Sequence, residues 1–543
     1  MLAWSLMVIV LTSLPYAWCA LQATDDYRFG GLVYDVEDVR TYLAEMRQGA
    51  NGAWLLHLPF TSEDHPRPFV HGLYLLLGKL TPLLGGSLLA TFHLARAGLG
   101  LWALWAVYRF VAYFTPWVAT RKVAWLLAAF SSGLGWLVIL SGRSTWLGAL
   151  PIDFWVPEAF TLPIIYSFPH ISLSLVLLLG ALQRFLQATD GRLSEAVWGG
   201  VWAFVLSFVV PFDIPIVYAA MGAYLAGLCL WRSPRWRAAL RAALAVGLIS
   251  LPGLLYSAWV FLFNPAFAEW SRQNLGLSPH PAHFFAAYAL FLLLAVPGAR
   301  RIWQRRDERV AFCLSWILAA LILLYSPFNL QRRLLLGIHP TVCLLAALGL
   351  THTLLPALGR SRAVAWLERR ASRRYSRGGL RRLAIYGLLW LTLPSHLLLL
   401  AGPVVQSGGH IAPLYLRREA WAAAEWLARE AAPGSIVLSS PAVGNTLPVY
   451  SDVWVYLGHG AITARYDEKL AEAIAFYTGA AQAQAQWAGW LQQQGIAYVY
   501  WGPDERALAP GAAAGPGAAS YLRLVFAEGE TAIYQVALPN LSP

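Results

Sequence analysis

Charge is scarce in this chain, and lysine is almost missing. Charged residues make up 13% of the 543 positions, about half of the roughly 25% found in soluble domains. Only Lys79, Lys122 and Lys469 carry an ammonium side chain. So low a charge density argues against an ordinary water-soluble globule of this length. The net charge of +12 does not point to nucleic acid either, because most arginines sit in short loops between apolar runs, where they act as topology determinants. The four cysteines, Cys19, Cys229, Cys313 and Cys343, all fall inside apolar segments and have no metal-ligand spacing, so they read as small buried hydrophobes. No G-x-S-x-G, H-E-x-x-H or Walker A motif occurs, and no convincing G-x-G-x-x-G. Hydrolase, metalloprotease and nucleotide-driven pump readings lose their usual support. The absence of an apparent internal repeat weakens a transporter built on inverted repeats.

What the chain has in quantity is apolar surface: 58% hydrophobic residues and 26 tryptophans. Repeated apolar runs of about 20 residues predict an α-helical polytopic membrane protein. Helices are expected near 2–22, 86–112, 122–141, 161–187, 194–210, 212–231, 238–263, 281–299, 310–326, 334–355 and 381–404. The first lacks a basic leader and is longer than a signal-peptide core, so it reads as a retained helix rather than a cleaved signal. Pro66–Leu83 is apolar but too short to span comfortably, and is assigned to a re-entrant or interfacial helix. With a cytoplasmic N-terminus, the more basic loops, from Arg109 through Arg232–Arg241 and Arg300–Arg309 to the run Arg360–Arg382, all lie in the cytoplasm. The first loop, residues 23–85, and the C-terminus then lie outside, in a multi-pass protein of the inner or plasma membrane.

After Val405 the composition changes. Residues 406–543 hold 11 acids against seven basic residues and alternate helix-like with strand-like segments. The segment 416–431 is an amphipathic helix, 467–477 and 481–494 are further helices, and SIVLSS, AYVYWG, YLRLVFAE and TAIYQV read as strands. The expected organisation is a membrane domain over 1–405 and an extracytoplasmic α/β domain over 406–543. The stretch 507–520, rich in Ala, Gly and Pro, reads as a flexible loop.

The first loop carries most of the acids outside the tail and the basic loops. Asp35 stands where an N-cap belongs, and Glu37 and Asp38 follow in a first helical turn, where acids suit the helix dipole. That accounts for them structurally. Alternatively, one of the three carboxylates faces a cleft as a general base toward a hydroxyl, or Asp35 and Asp38 hold a divalent cation such as Mg or Mn through oxygen ligands. Glu63, Asp64, His65 and Arg67 form a second polar cluster before the interfacial helix, either as a solvated loop or as the facing wall of a site.

Glu37-Asp38 with Tyr42 after the first membrane helix, His65-Pro66 before an amphipathic helix, Gly85, and Arg96 in the next spanning helix together resemble the start of the GT-C glycosyltransferases. That superfamily includes protein O-mannosyltransferases and the aminoarabinose transferases of lipid A. The motifs cover the first hundred residues. Beyond them the likeness is architectural: about 11 spanning helices and an extracytoplasmic C-terminal domain. The acid order here is Glu-Asp rather than the commoner Asp-Glu, so Asp38 is carried over first as the base, with Glu37 and Asp35 as alternatives. The resemblance implies inverting transfer of a sugar from a polyprenyl-phosphate donor to a glycan, lipid or protein hydroxyl. A metal is optional because the leaving phosphate is a good one, and no nucleic acid is involved.

That reaction needs cations for the phosphate. Arg96 shares a helix face with His93 and, within a membrane, needs an internal partner such as Asp213 or a site facing protein or water. Arg332 and Arg333 lie on the less basic side and suit a lipid phosphate, or else snorkel to headgroups. His170, Arg272, Asn274 and the glycine-flanked His459 complete the list of candidate substrate contacts, each with a structural alternative as a cap, belt or turn residue. Two other classes of function compete: a transporter or flippase of lipid-linked glycans, and a non-catalytic membrane scaffold.

Overall fold

Some of the apolar runs break at a proline or at a pair of glycines, although Pro15, Pro252 and Pro297 lie inside continuous helices. Phe168, with φ −125 and ψ 134, separates the helix Thr161–Ser167 from Pro169–Thr189. A residue before proline is pushed out of the α region, and one long apolar run becomes two helices. The same rule divides Gly378–Thr392 from Pro394–Ser407, which meet at a 43° bend. The run expected over 122–141 ends as a helix at Phe130 and resumes only over Trp136–Leu140. In between, Gly133 and Gly135 lie against the Asp153 carboxylate: a Cβ on either glycine would come within 2.4 and 2.3 Å of its oxygens.

This is a computed structural model, and it describes all residues except 363, 365, 367–376, 481, 511–514 and 538–543. The central part of the expected flexible stretch 507–520 therefore falls outside the described residues. Among those described, seven helices are long and apolar enough to cross a membrane, or up to eight if the bent pair counts as one span. The chain is a multi-pass membrane protein. The count of about 11 expected from sequence includes runs that here form shorter helices, such as Ser194–Val209 and Glu308–Leu323 at 16 residues each. The short apolar segment expected over 66–83 forms the helix Gly72–Leu80, continued by a 3₁₀ turn to Leu84.

The described chain divides into two units. The first comprises Met1–Pro15, His93–Ser257 and Gly276–Gly402. Its helices pack through small residues. Where Ala282–Arg305 crosses Ile338–Gly349, a Cβ on Gly349 would lie 2.0 Å from the Leu294 carbonyl. This is the close backbone approach that membrane helix interfaces favour.

The second unit comprises Tyr16–Phe92, Ala258–Leu275 and Pro403–Pro543. Its centre is a five-stranded sheet of order β4-β3-β5-β7-β6, with β3 Ile436–Leu438, β4 Trp454–Val455, β5 Ile496–Trp501, β6 Leu522–Glu528 and β7 Thr531–Val536. The first three strands run parallel, and β7 and β6 are antiparallel additions. The core under the sheet is built from Leu438, Tyr456, Phe476, Tyr477, Leu491 and Val499. First-loop residues belong to the same unit. β1 Tyr27–Phe29 pairs antiparallel with β2 Tyr415–Arg417, and Thr61 forms a bridge with Leu457.

The helix Val36–Ala50 packs on Gly72–Leu80 through two glycines. A Cβ on Gly49 would sit 2.1 Å from the Leu75 carbonyl, and one on Gly78 would sit 1.9 Å from that of Met46. Gly78→Ala is expected to force this pair apart and to destabilise the protein by about 1–3 kcal/mol, the usual range for overpacking. A lowered thermal midpoint in detergent checks it, with Gly489→Ala in the helix Gln484–Gln493 as the control, since a Cβ at Gly489 meets nothing.

Candidate functional site

The acidic turn of the first loop meets the glycine-flanked histidine of the C-terminal segment. Nε2 of His459 lies 2.8 Å from Oδ1 of Asp38. The Gly460 amide donates to Oε1 of Glu37 at 3.3 Å, and the Asn445 side-chain amide donates to the Glu37 carbonyl at 3.2 Å. The Ala461 amide points at Nδ1 of His459 at 3.1 Å, which leaves the ring proton on Nε2 in the neutral imidazole, donated to Asp38. Burial disfavours the imidazolium, but the hydrogen bond and charge of Asp38, with Glu37 and Asp35 behind it, outweigh burial and raise the His459 pKa.

Local structure explains these positions. Glu37 and Asp38 occupy the first turn of the helix Val36–Ala50, as expected. Asp35 stands at the N-cap position, but it adopts φ 45 and ψ 55 and makes no side-chain capping bond. A left-handed residue is a steep turn into the helix, tolerated by Asp better than by most side chains. Asp35 and Glu37 are exposed, whereas Asp38 is half-buried.

The His459 loop is held on three sides. Oγ1 of Thr463 donates to the Phe60 carbonyl at 2.6 Å and accepts from the Gly458 amide at 3.0 Å. Gln273, at the end of the helix Pro265–Gln273, donates to the Thr463 carbonyl at 2.8 Å and accepts from the Tyr466 amide at 3.3 Å. Lys469, buried to 1% exposure, places its ammonium 2.7 Å from Oε2 of Glu63 and 3.0 Å from Ser62 Oγ. Arg465 reaches the other Glu63 oxygen at 3.3 Å, and Thr61 also hydrogen-bonds Glu63. Burial works against the Glu63 carboxylate, but Lys469, the Thr61 hydroxyl and a backbone N–H prevail and lower its pKa.

The remaining first-loop candidates are placed by packing. Tyr42 stacks on Tyr74 with ring centres 4.4 Å apart. His65 is buried: its Nε2 accepts from the Leu58 amide at 3.2 Å, its Nδ1 lies 3.1 Å from the Pro66 carbonyl, and its ring stacks on His57 at 4.5 Å. His57 in turn stacks on Trp454, and burial beside His65 and Arg67 pulls its pKa down to about 3. Asp64 is exposed. Arg272 is exposed and paired with Glu269, and Asn274 caps the same short helix. Gln273 is expected from sequence as a possible sugar contact, and here it clamps the His459 loop. Asn445 is not singled out, and its only trace in the sequence is its polarity, which dozens of other residues share.

The other candidates lie in the first unit. Arg96 is 2% exposed and donates to the Ile165 carbonyl at 3.2 Å, to Ser13 Oγ at 2.9 Å and to His93 Nδ1 at 3.4 Å. Such neutral acceptors solvate a guanidinium inside a membrane. Arg332 stacks over Trp155 at 4.5 Å and Arg333 over Phe212 at 5.5 Å, on the 3₁₀ turn Gln331–Leu335. Arg333 also interacts electrostatically with the buried Asp213, which has Glu158 as a like-charged neighbour. His170 is buried at the start of the helix Pro169–Thr189, its ring tilted against Phe168.

No protein-family model and no curated protein matches the sequence. Solved structures do. The archaeal oligosaccharyltransferase AglB from Archaeoglobus fulgidus, in complex with an inhibitory peptide and a dolichol-phosphate, matches at a TM-score of 0.53 and 13% identity, over 99% of this chain and 75% of that one. ArnT from Cupriavidus metallidurans bound to undecaprenyl phosphate matches at 0.50 and 14% identity, over 99% of both chains. The chain has the fold of the GT-C glycosyltransferases. The mycobacterial arabinofuranosyltransferase AftD shares this GT-C fold at 0.51 and 15% identity, with 98% of this chain covering 40% of AftD. AglB has also been solved in complex with Zn and sulfate. Here, no group of three His, Cys, Asp or Glu side chains among the described residues is arranged to hold a metal ion. Asp38 takes His459 as its partner.

Proposed function

We propose that this protein is an inverting glycosyltransferase that moves a sugar from a polyprenyl-phosphate-linked donor to a hydroxyl on an extracytoplasmic glycan, lipid or protein. The observation that carries the reading is the Asp38–His459 pair in a chain of GT-C fold. Asp38 takes the acceptor proton as the acceptor oxygen forms a bond to the anomeric carbon. The anomeric carbon–phosphate oxygen bond breaks, its electron pair leaves with the phosphate, and the configuration inverts. His459 is a positioning residue that donates Nε2–H to Asp38 and fixes the rotamer of its carboxylate. Glu37 and Asp35 stay as alternative bases, and Arg96, Arg332 and Arg333 are cations for the leaving phosphate.

In this reading residues 1–405 form the membrane domain, with a cytoplasmic N-terminus, and 406–543 the extracytoplasmic α/β domain. Lipid carriers bound to AglB and ArnT support the donor class. Proteoliposomes loaded with polyprenyl-phosphate sugars and candidate acceptors are expected to release polyprenyl phosphate together with a glycosylated product. Movement of labelled donor across the bilayer without transfer would instead establish the flippase reading.

A further inference from the structure

We infer that the first unit carries a binding pocket for the phosphate headgroup of an anionic membrane lipid, at its arginine-rich end. A cavity of about 290 Å³ opens between the helices Leu88–Phe114, Pro169–Thr189 and Ser194–Val209. Trp102, Trp105 and Arg109 line it from the first helix at three- and four-residue spacing, which puts them on one face. Arg184 and, beyond the helix end, Arg192 line it from the second segment, and Trp202 from the third. Three arginines thus face one acid, Glu195, which Arg184 already binds.

The other two cations are uncommitted. Among the described residues, neither Arg109 nor Arg192 forms a salt bridge, and Arg109 stacks on Trp105 at 5.5 Å. The acid nearest Arg192 in sequence is taken. Asp190 is bound by Arg309 at 2.9 Å, by Tyr113 OH at 2.8 Å and by Arg235 at 3.4 Å. A cavity lined by both cations and indoles, with Arg109 over Trp105 and Arg184 over Trp202, suits a phospholipid at the headgroup–acyl boundary. Tryptophan suits the interface and arginine forks match phosphate oxygens. Basic pockets between membrane helices hold such headgroups. Gln183 and Gln187, one helical turn apart on the cavity wall, add polar groups for a glycerol or hydroxyl substituent. This pocket does not depend on the transfer reaction.

The test uses the full chain in a non-ionic detergent, titrated with phosphatidylglycerol, phosphatidylcholine or inorganic phosphate while the thermal midpoint is followed. Phosphatidylglycerol is expected to raise the midpoint saturably and the other two are not. Arg109→Gln with Arg192→Gln is expected to raise the half-saturating concentration by about tenfold. Equal responses to the two lipids, or an unchanged response in the double variant, overturn the pocket. A response to inorganic phosphate equal to that of phosphatidylglycerol overturns its assignment to a lipid. Native mass spectrometry of the unaltered protein in an equimolar mixture of both lipids decides the same question without a variant: retained phosphatidylglycerol supports the pocket and indiscriminate retention overturns it.

Discussion

Asp38→Asn is expected to lower the rate of sugar transfer by about 10²–10⁴-fold, the contribution of a positioned general base. The substitution is nearly isosteric. An asparagine oxygen still accepts the Nε2–H of His459, so the 2.8 Å contact and the loop it anchors have no steric reason to change. What is lost is the basicity that receives the acceptor proton. Donor binding should survive, because cations and apolar surface rather than Asp38 hold a lipid phosphate. The measurement is kcat and KM for transfer in proteoliposomes, with donor binding measured separately. Glu37→Gln and Asp35→Asn remove charge from exposed side chains and should have much smaller effects. If either of them abolishes transfer while Asp38→Asn does not, the base has been misassigned. His459→Gln should fall in between: it keeps a donor near Asp38 but loses the group whose pKa the carboxylates raise. Below that raised pKa an imidazolium forms beside Asp38 and makes it a weaker base. The wild type should therefore lose activity as pH falls through the His459 pKa, above the ordinary histidine value, and His459→Gln should lack that limb.

The site was half legible in the sequence, and the reason lies in distance along the chain. Asp38 and His459 both stood out locally, the one in a run of acids and the other between two glycines. Nothing in a sequence pattern says that residues 421 positions apart touch. The same gap hides β1 and β2, three residues each, because so short a strand has no period to read and its partner lies across the whole membrane segment. Strands β3, β5, β6 and β7 were visible because β-branched and aromatic residues cluster between turn signals. β4 has two residues and no such cluster. Helix breaks at Phe168 and between Phe130 and Trp136 were obscured for another reason. Hydropathy runs through them unchanged, and the signals are a single proline and a pair of glycines against Asp153. Glu63, expected in a solvated loop or in the facing wall of a site, is occupied by the side chains of Lys469 and Arg465, which come from four hundred residues later in the chain and which no local pattern announces.

Those side chains make the second large prediction, which turns on an asymmetry of burial. Lys469 is 1% exposed, whereas the Glu63 carboxylate is a third exposed and keeps part of its hydration. The ammonium therefore bears most of the desolvation, and its pKa falls even with Glu63 beside it. Removing the carboxylate by Glu63→Ala strands a buried cation, and is expected to destabilise the protein by about 3–5 kcal/mol. Lys469→Met should cost less, about 1–2 kcal/mol, because Glu63 retains Arg465 at 3.3 Å and some water. In the double variant no charge is stranded, so its stability should lie closer to Lys469→Met than to Glu63→Ala. Unfolding in detergent at pH 7 gives this order, and a Lys469→Met variant less stable than Glu63→Ala would refute it. The pH dependence carries the same signature. A carboxylate with a depressed pKa contributes stability above its unfolded value of about 4.5, and that contribution is lost as pH falls through the folded one. Wild type should lose stability over that acid range more steeply than Lys469→Met, whose Glu63 no longer has the ammonium that lowers its pKa. Because Thr61 and Ser62 also contact Lys469, the loss should reach the His459 loop. Glu63→Ala is then expected to reduce transfer as well as stability, without Glu63 touching a substrate.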